Sequence, residues 1–447
     1  NNNNNNNNNN NPNACWMKID TDTIDGVAGS ILIRLFGLTM LGALASFVTA
    51  VAFVKFASVA PSAATYAGVY FVPACMFILG IVVMAALFTF IGTAAIIIGL
   101  ILMCCGSCLC ACTWFCYRDL IPLTIQVVGA VTQVILRYFS MLIIAVVSAS
   151  MSIIWSFLCA GVFVGWWARA NRLAATTPGG SASGNTRLSY VQYFIECLIY
   201  FWGGFVAFNT SHVTFCGVFG QWFYGKAKEV NSRPVRTSAK VAFTTSFGSI
   251  CLGSLIIAVI RAMEAVARKL MNDSADSGNI VTCVISCILT CIISCIGDIL
   301  EWISLYAYVQ VAVRGLGFMS ACRATYSMAT ISNLIYVVSA ILVEWVVGMG
   351  AVFCGLTGAV AAGVIGYVGC DLPEFCAVLA LIGAIFGLLA GCIAGGSAVG
   401  VMNSGSVTIL MSWAENPQVL QQTHSELYEK FTKVINGKVA ENREPHD

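Results

Sequence analysis

Ten apolar stretches dominate this chain, at about 30–57, 67–91, 92–116, 119–137, 138–168, 191–224, 241–263, 280–303, 333–367 and 375–411. Roughly 20 helical residues cross the hydrocarbon core of a bilayer, and most of these runs are longer than that. Backbone N–H and C=O groups find no water there, so each run must satisfy its own hydrogen bonds as a helix. Only 9% of the residues are charged and 59% are hydrophobic, whereas a soluble domain carries about 25% charged residues. The predicted fold is therefore all-α: a polytopic helical membrane protein with about ten transmembrane helices. Residues 1–29 read as a short or disordered tail that opens on a run of Asn, 30–413 as the transmembrane domain, and 414–447 as a cytosolic tail.

The weakest of the ten is 119–137, which carries Gln126 and Gln133 and also fits a helix lying along the interface. Orientation rests on Lys226, Lys228, Arg233, Arg236 and Lys240, the densest basic cluster, which places the 226–240 loop in the cytosol. Alternation then puts 264–279 outside, where Asn272-Asp273-Ser274 has the form of a glycosylation sequon and marks a glycoprotein. The same alternation returns the tail to the cytosol. Leu420, Leu427, Phe431 and Val434 recur there at helical spacing and predict an amphipathic helix docked on the bundle. Both termini are cytosolic if 119–137 crosses, and the N-terminus lies outside if it lies flat.

Lys plus Arg number 22 against 20 for Asp plus Glu, so no global charge recruits nucleic acid. The 21 cysteines sit mostly within apolar runs and read as small hydrophobes, not as a disulfide framework. Cys283, Cys287, Cys291 and Cys295 step by four and are expected to pack a helix face, and Cys104 to Cys116 form a juxtamembrane group suited to acylation. Gly383, Gly387, Gly391 and Gly395 also step by four, a smooth stripe that lets two helices approach closely for packing, or else serves as a sliding surface during transport. No nucleotide-binding Gly loop, HExxH or triad pattern appears, so the chain shows no sign of an enzyme, a cofactor or a metal site.

The stretch 191–263 holds the polar groups that matter most. Glu196, Asn209, Thr210 and His212 interrupt its first helix, among Tyr200, Trp202, Phe205 and Trp222. Ionisable and amide groups are costly in hydrocarbon and mark a bundle interior or an aqueous path. Farther along, Asp298 and Glu301 lie near Trp302, Tyr306 and Tyr308. Acids beside ring faces suit an organic cation, through charge and cation–π contact. Interfacial anchoring of the rings and solvation of the acids explain the same residues, and His212 equally suits a structural hydrogen bond or a proton-linked role.

Several blocks are similar to the choline transporter-like family, nearest its fungal and protist branch. They are NTSHVTFCGVFGQWFYG at 209–225, TTSFGSICLGSL from 244, EWISLYAYVQVAVRGLGFMSA at 301–321, and VMNSGSVTILMSWAENPQVLQQTHSEL at 401–427. The resemblance covers about 190–430. It implies a ten-helix transporter with cytosolic termini that moves choline or a related cation. Three departures stand out: Ser304 and Leu305 replace an Asn and a basic residue, Asn403 takes the place of an acid, and the large extracellular loop of animal members is absent.

The function expected from these signs is transport of choline or a related small organic cation. Glu301, Trp302, Tyr306, Tyr308, Trp202, His212 and Asn209 are the candidate substrate-binding residues. The rival is a non-transporting structural subunit that keeps the fold as a scaffold, and a channel is a third. Membrane lipids are the obligatory surroundings, in the plasma membrane or an endomembrane. The expected protein partners are further copies of the chain or a larger membrane assembly.

Overall fold

The computed structural model describes residues 21–176, 190–225, 233–276, 278, 280–331, 335–369 and 376–441. The Asn run, Lys226 and Lys228 lie outside these residues. All described elements are helical: α1 Thr21–Val59, α2 Pro61–Ile91, α3 Thr93–Cys112, α4 Ile121–Arg137, α5 Ser140–Thr176, α6 Tyr190–Tyr224 and α7 Pro234–Phe243. These are followed by α8 Phe247–Asp276, α9 Ile280–Arg314, α10 Phe318–Ile331, α11 Ile335–Val368, α12 Cys376–Glu415, α13 Pro417–Thr423 and α14 Ser425–Glu441. Ten helical segments are long and apolar enough to cross a membrane.

Local sequence sets the punctuation. Pro61, Pro234 and Pro417 open α2, α7 and α13, where a missing N–H costs nothing. Gly92, Gly278 and Gly315 take φ of 56°, 71° and 67° at the α2–α3, α8–α9 and α9–α10 junctions, a left-handed backbone that suits glycine. Within the spans, hydroxyls return to the preceding turn, as Thr132 donates to the Val128 carbonyl at 2.7 Å and Thr408 to that of Ser404 at 2.7 Å. Such bonds make Ser and Thr tolerable inside hydrocarbon.

The stretch around α4 resolves the ambiguity left by its sequence. Leu123, Val127, Val131 and Ile135 are fully buried, and this is the most enclosed of the ten candidate spans. It is not an interfacial helix. Nor does it form a hairpin with α3. Gly99 faces Gly80 and Met84, Gly106 faces Pro73 and Phe77, Leu120 and Ile121 cluster with Val69, and Gly129 faces Pro61. Positions along α2 fall steadily as those along α3 and α4 rise, so α3 and α4 travel in one direction. A π-helical turn at Thr113–Tyr117 and a 3-10 turn at Arg118–Leu120 bend this rod without reversing it.

One reversal fewer changes the placement of the N-terminal end. Gly42 packs on Gly387, Ser46 lies against Gly391 and Gly395, and Phe53 and Val399 share the notch at Gly350. Thus α1 runs parallel to α12, and residues 34 and 415 lie at opposite ends of the bundle. The expectation of both ends on one face therefore fails within the described residues.

The glycine stripe is the tightest seam. A Cβ on Gly387 would meet Ala362 Cβ at 2.6 Å and run into the Gly358 carbonyl; one on Gly391 would meet the Cys354 carbonyl at 2.8 Å. Ser46 adds a hydrogen bond of 2.6 Å to the Cys354 carbonyl, tying α1 into the α11–α12 crossing. The cysteine stripe behaves differently. Cys287, Cys291 and Cys295 are exposed, while Ser286, Thr290, Ile293 and Gly297 form the inner face of α9. Expected to pack, it faces outward, because a spacing of four fixes a face but not which way that face turns.

The tail docks as its apolar spacing predicts. Phe431 is fully buried with its ring 4.8 Å from Trp413, and Leu420 is fully buried as well. His424 stacks on Trp222 at 4.1 Å and Thr423 donates to the Phe223 carbonyl at 3.1 Å, fixing the tail to the end of α6. The sequon lies in the last turn of α8, where the buried Ser274 hydroxyl donates to the Leu270 carbonyl at 2.7 Å. Helical backbone and an occupied hydroxyl both disfavour glycan attachment there.

Candidate functional site

A cavity of about 430 Å³ opens between α6, α8, α9, α11 and α12. Phe205, Phe208 and Asn209 of α6 form one wall, and Glu301, Trp302 and Ser304 of α9 another. Glu344 of α11 and Asn403 of α12 complete it, with Arg261 and Asp298 at one edge. One guanidinium thus faces three carboxylates, a site with net negative charge.

Arg261 takes much of that charge. It lies 2.7 Å from Asp298, 2.6 Å from Glu301 and 2.9 Å from Glu264, which also pairs with Arg268 at 2.6 Å. The network clamps α8 to α9. The side chains of Asp298 and Glu301 are 67% and 47% exposed although both sit on a membrane-length helix. Charges so placed line water.

Glu344 is held differently. Its Oε1 accepts from Asn403 Nδ2 at 3.3 Å, and among the described residues no cationic side chain lies within ion-pair distance. The Asn403 Oδ1 is buried and has no hydrogen-bond partner among the described residues. Asn403 thus places a free amide acceptor beside the carboxylate of the neighbouring helix.

Of the candidate substrate-binding residues, Asn209, Glu301 and Trp302 line this cavity. Tyr306 backs Trp302 at 4.9 Å between centroids. Tyr308 and His212 are buried on the side toward the tail. The Tyr308 hydroxyl meets the Ile250 carbonyl at 3.2 Å and Asn209 Nδ2 at 3.4 Å, and Asn209 donates to Ser254 at 2.9 Å. His212 Nε2 donates to the Leu305 carbonyl at 3.1 Å, so Nδ1 accepts from the Ser404 hydroxyl at 2.8 Å. Both ring nitrogens are engaged as in a neutral imidazole. Trp202 stands apart, 39% exposed and donating to the Cys251 carbonyl at 3.1 Å.

Arg261 and Glu344 were not among the predicted site residues. Glu344 is the only charged residue in α11, and a lone acid in an apolar run is itself a signal.

A family model described as plasma-membrane choline transporter matches residues 100–418, well over half of the chain. The chain belongs to the choline transporter-like family. It is a multi-pass integral membrane protein of a transporter family. Protein PNS1 of Mycosarcoma maydis is 27% identical over 334 residues, covering 72% of this chain and 61% of that protein. Protein PNS1 of Neurospora crassa is 30% identical over 288 residues, covering 63% of this chain and 50% of its own length. A CTL-like protein of Dictyostelium discoideum is 24% identical over 324 residues, covering 70% and 53% respectively. The chain therefore spans between half and about three-fifths of these relatives.

Proposed function

We propose that this membrane protein carries choline or a related small organic cation, held in the cavity between Trp302, Glu344 and Asn403. The observation that carries this reading is Glu344, a carboxylate in a cavity with no cationic partner among the described residues. A quaternary ammonium has no proton to donate, so charge and ring faces must recognise it, and Trp302, Phe205 and Phe208 supply the rings. The free Asn403 Oδ1 is placed to accept from a hydroxyl such as that of choline. A volume of about 430 Å³ is ample for such a ligand.

Two measurements on the purified chain test this: binding of labelled choline in detergent and its uptake into proteoliposomes. Saturable binding with uptake is the expected result. Binding without uptake favours the scaffold reading, and absence of binding overturns the proposal.

A further inference from the structure

Below the carboxylate cavity lies a second one of about 220 Å³, nearer the docked tail. The two share α6 and α9 as walls. On α6, Asn209 lines the first while Val213, Gly217 and Gly220 line the second; on α9, Leu305 lines the first while Ala312 and Val313 line the second. The intervening turns carry Tyr308, whose side chain is fully buried. The cavities are therefore in series, with one residue layer between them.

That layer differs from ordinary core packing. The Tyr308 hydroxyl reaches the Ile250 carbonyl at 3.2 Å, and Asn209 and Ser254 at 3.4 Å each. The hydroxyl is shared among three partners, none nearer than 3.2 Å. Gly253 makes the seat, for a Cβ there would run into the Tyr308 hydroxyl and the Phe318 ring. His212, joined to Ser404 at 2.8 Å, closes the layer toward α12, with its ring 6.5 Å from that of Tyr308.

We infer that Tyr308, seated on Gly253 and held by Asn209 and Ser254, is a closed gate between the cation cavity and a release vestibule beneath it. The inference rests on the cation reading for its purpose but not for its geometry. Asp298 and Glu301 are the exposed acids of the upper cavity, on its side away from the tail. The Tyr308 layer then shuts the upper cavity off from the tail side. Opening requires that the phenol leave its notch.

The test uses Val313→Cys in the full chain, reconstituted in vesicles of known orientation and treated with a polar thiol reagent from either side. Peptide mass spectrometry reads that position alone, so the native cysteines do not interfere. Labelling from the end opposite the tail should be about tenfold slower than from the tail side or more, because it must await a local opening. Adding Tyr308→Ala should abolish that difference, and Asn209→Ala with Ser254→Ala, which keeps the ring, should reduce it. An unchanged tail-side rate reports an intact fold in each variant. Equal rates in the parent, or no change on Tyr308→Ala, overturns the gate. Neither result depends on choline, so a failed gate leaves the binding proposal standing, and the reverse also holds.

Discussion

The Arg261 guanidinium stands 2.6 Å from the Glu301 carboxylate. The acid that the sequence offers first for a substrate cation therefore already has a cation of its own. Arg261 is the more critical partner of the pair, since its side chain is 19% exposed and holds Glu264 and Asp298 as well.

Arg261→Gln should lower stability by about 1–3 kcal/mol, because it leaves the nearly buried Glu264 with one fewer partner and two further acids unpaired. Glu301→Gln should cost less than about 1 kcal/mol, since half-exposed ion pairs contribute little. Thermal unfolding in detergent followed by tryptophan fluorescence ranks the two. The opposite order would mean that Glu301, not Arg261, holds the clamp.

Glu344→Gln should weaken choline binding about tenfold or more. At 4 Å and an effective dielectric of 20 the charge attraction is about 4 kcal/mol, part of which desolvation offsets. Trp302→Leu should cost about 0.5–2 kcal/mol of affinity by removing a ring face. Affinity per folded molecule is the deciding quantity. Normal binding in both variants would move the site out of this cavity.

Gly387→Ala should destabilise by about 1–3 kcal/mol, because the added methyl meets Ala362 and the Gly358 backbone. Gly161→Ala is the control, since nothing lies within 4 Å of its Cβ position. It should be neutral or gain about 0.5–1 kcal/mol from helix propensity. Equal melting temperatures for the two would show that the α11–α12 seam has slack.

Cysteines introduced by Glu429→Cys in the tail and by Ser232→Cys in the basic loop, the latter outside the described residues, should be labelled from one side of the membrane. That side should be the cytosol. Asp276→Cys, at the far end of α8, should be labelled only from the other. Labelling of all three from one side would overturn the orientation.

The helices and the tail were legible because apolar length and period determine them, as the buried Leu420 and Phe431 illustrate. The sense of α4 was not. Composition records that 119–137 is apolar, but a reversal and a bend at Thr113–Leu120 read alike until Gly129 is seen against Pro61. The candidate site was half legible. Asn209, Glu301 and Trp302 were found as clustered polar and aromatic residues, whereas Glu344 stands alone in its helix and meets Asn403 from 59 positions away. Pairings of that kind depend on how distant helices cross, which no local pattern encodes.

The seam of Gly42, Gly358, Gly387 and Gly391 has a mechanical meaning. Where backbone touches backbone there is no rotamer to exchange, so α1, α11 and α12 meet as a close-fitting frame. The contacts of α6, α8 and α9 around Tyr308 run through side chains and long hydrogen bonds, which have alternative settings. Rearrangement at that second group needs new rotamers and new hydrogen-bond partners, whereas at the seam the backbones themselves would have to part.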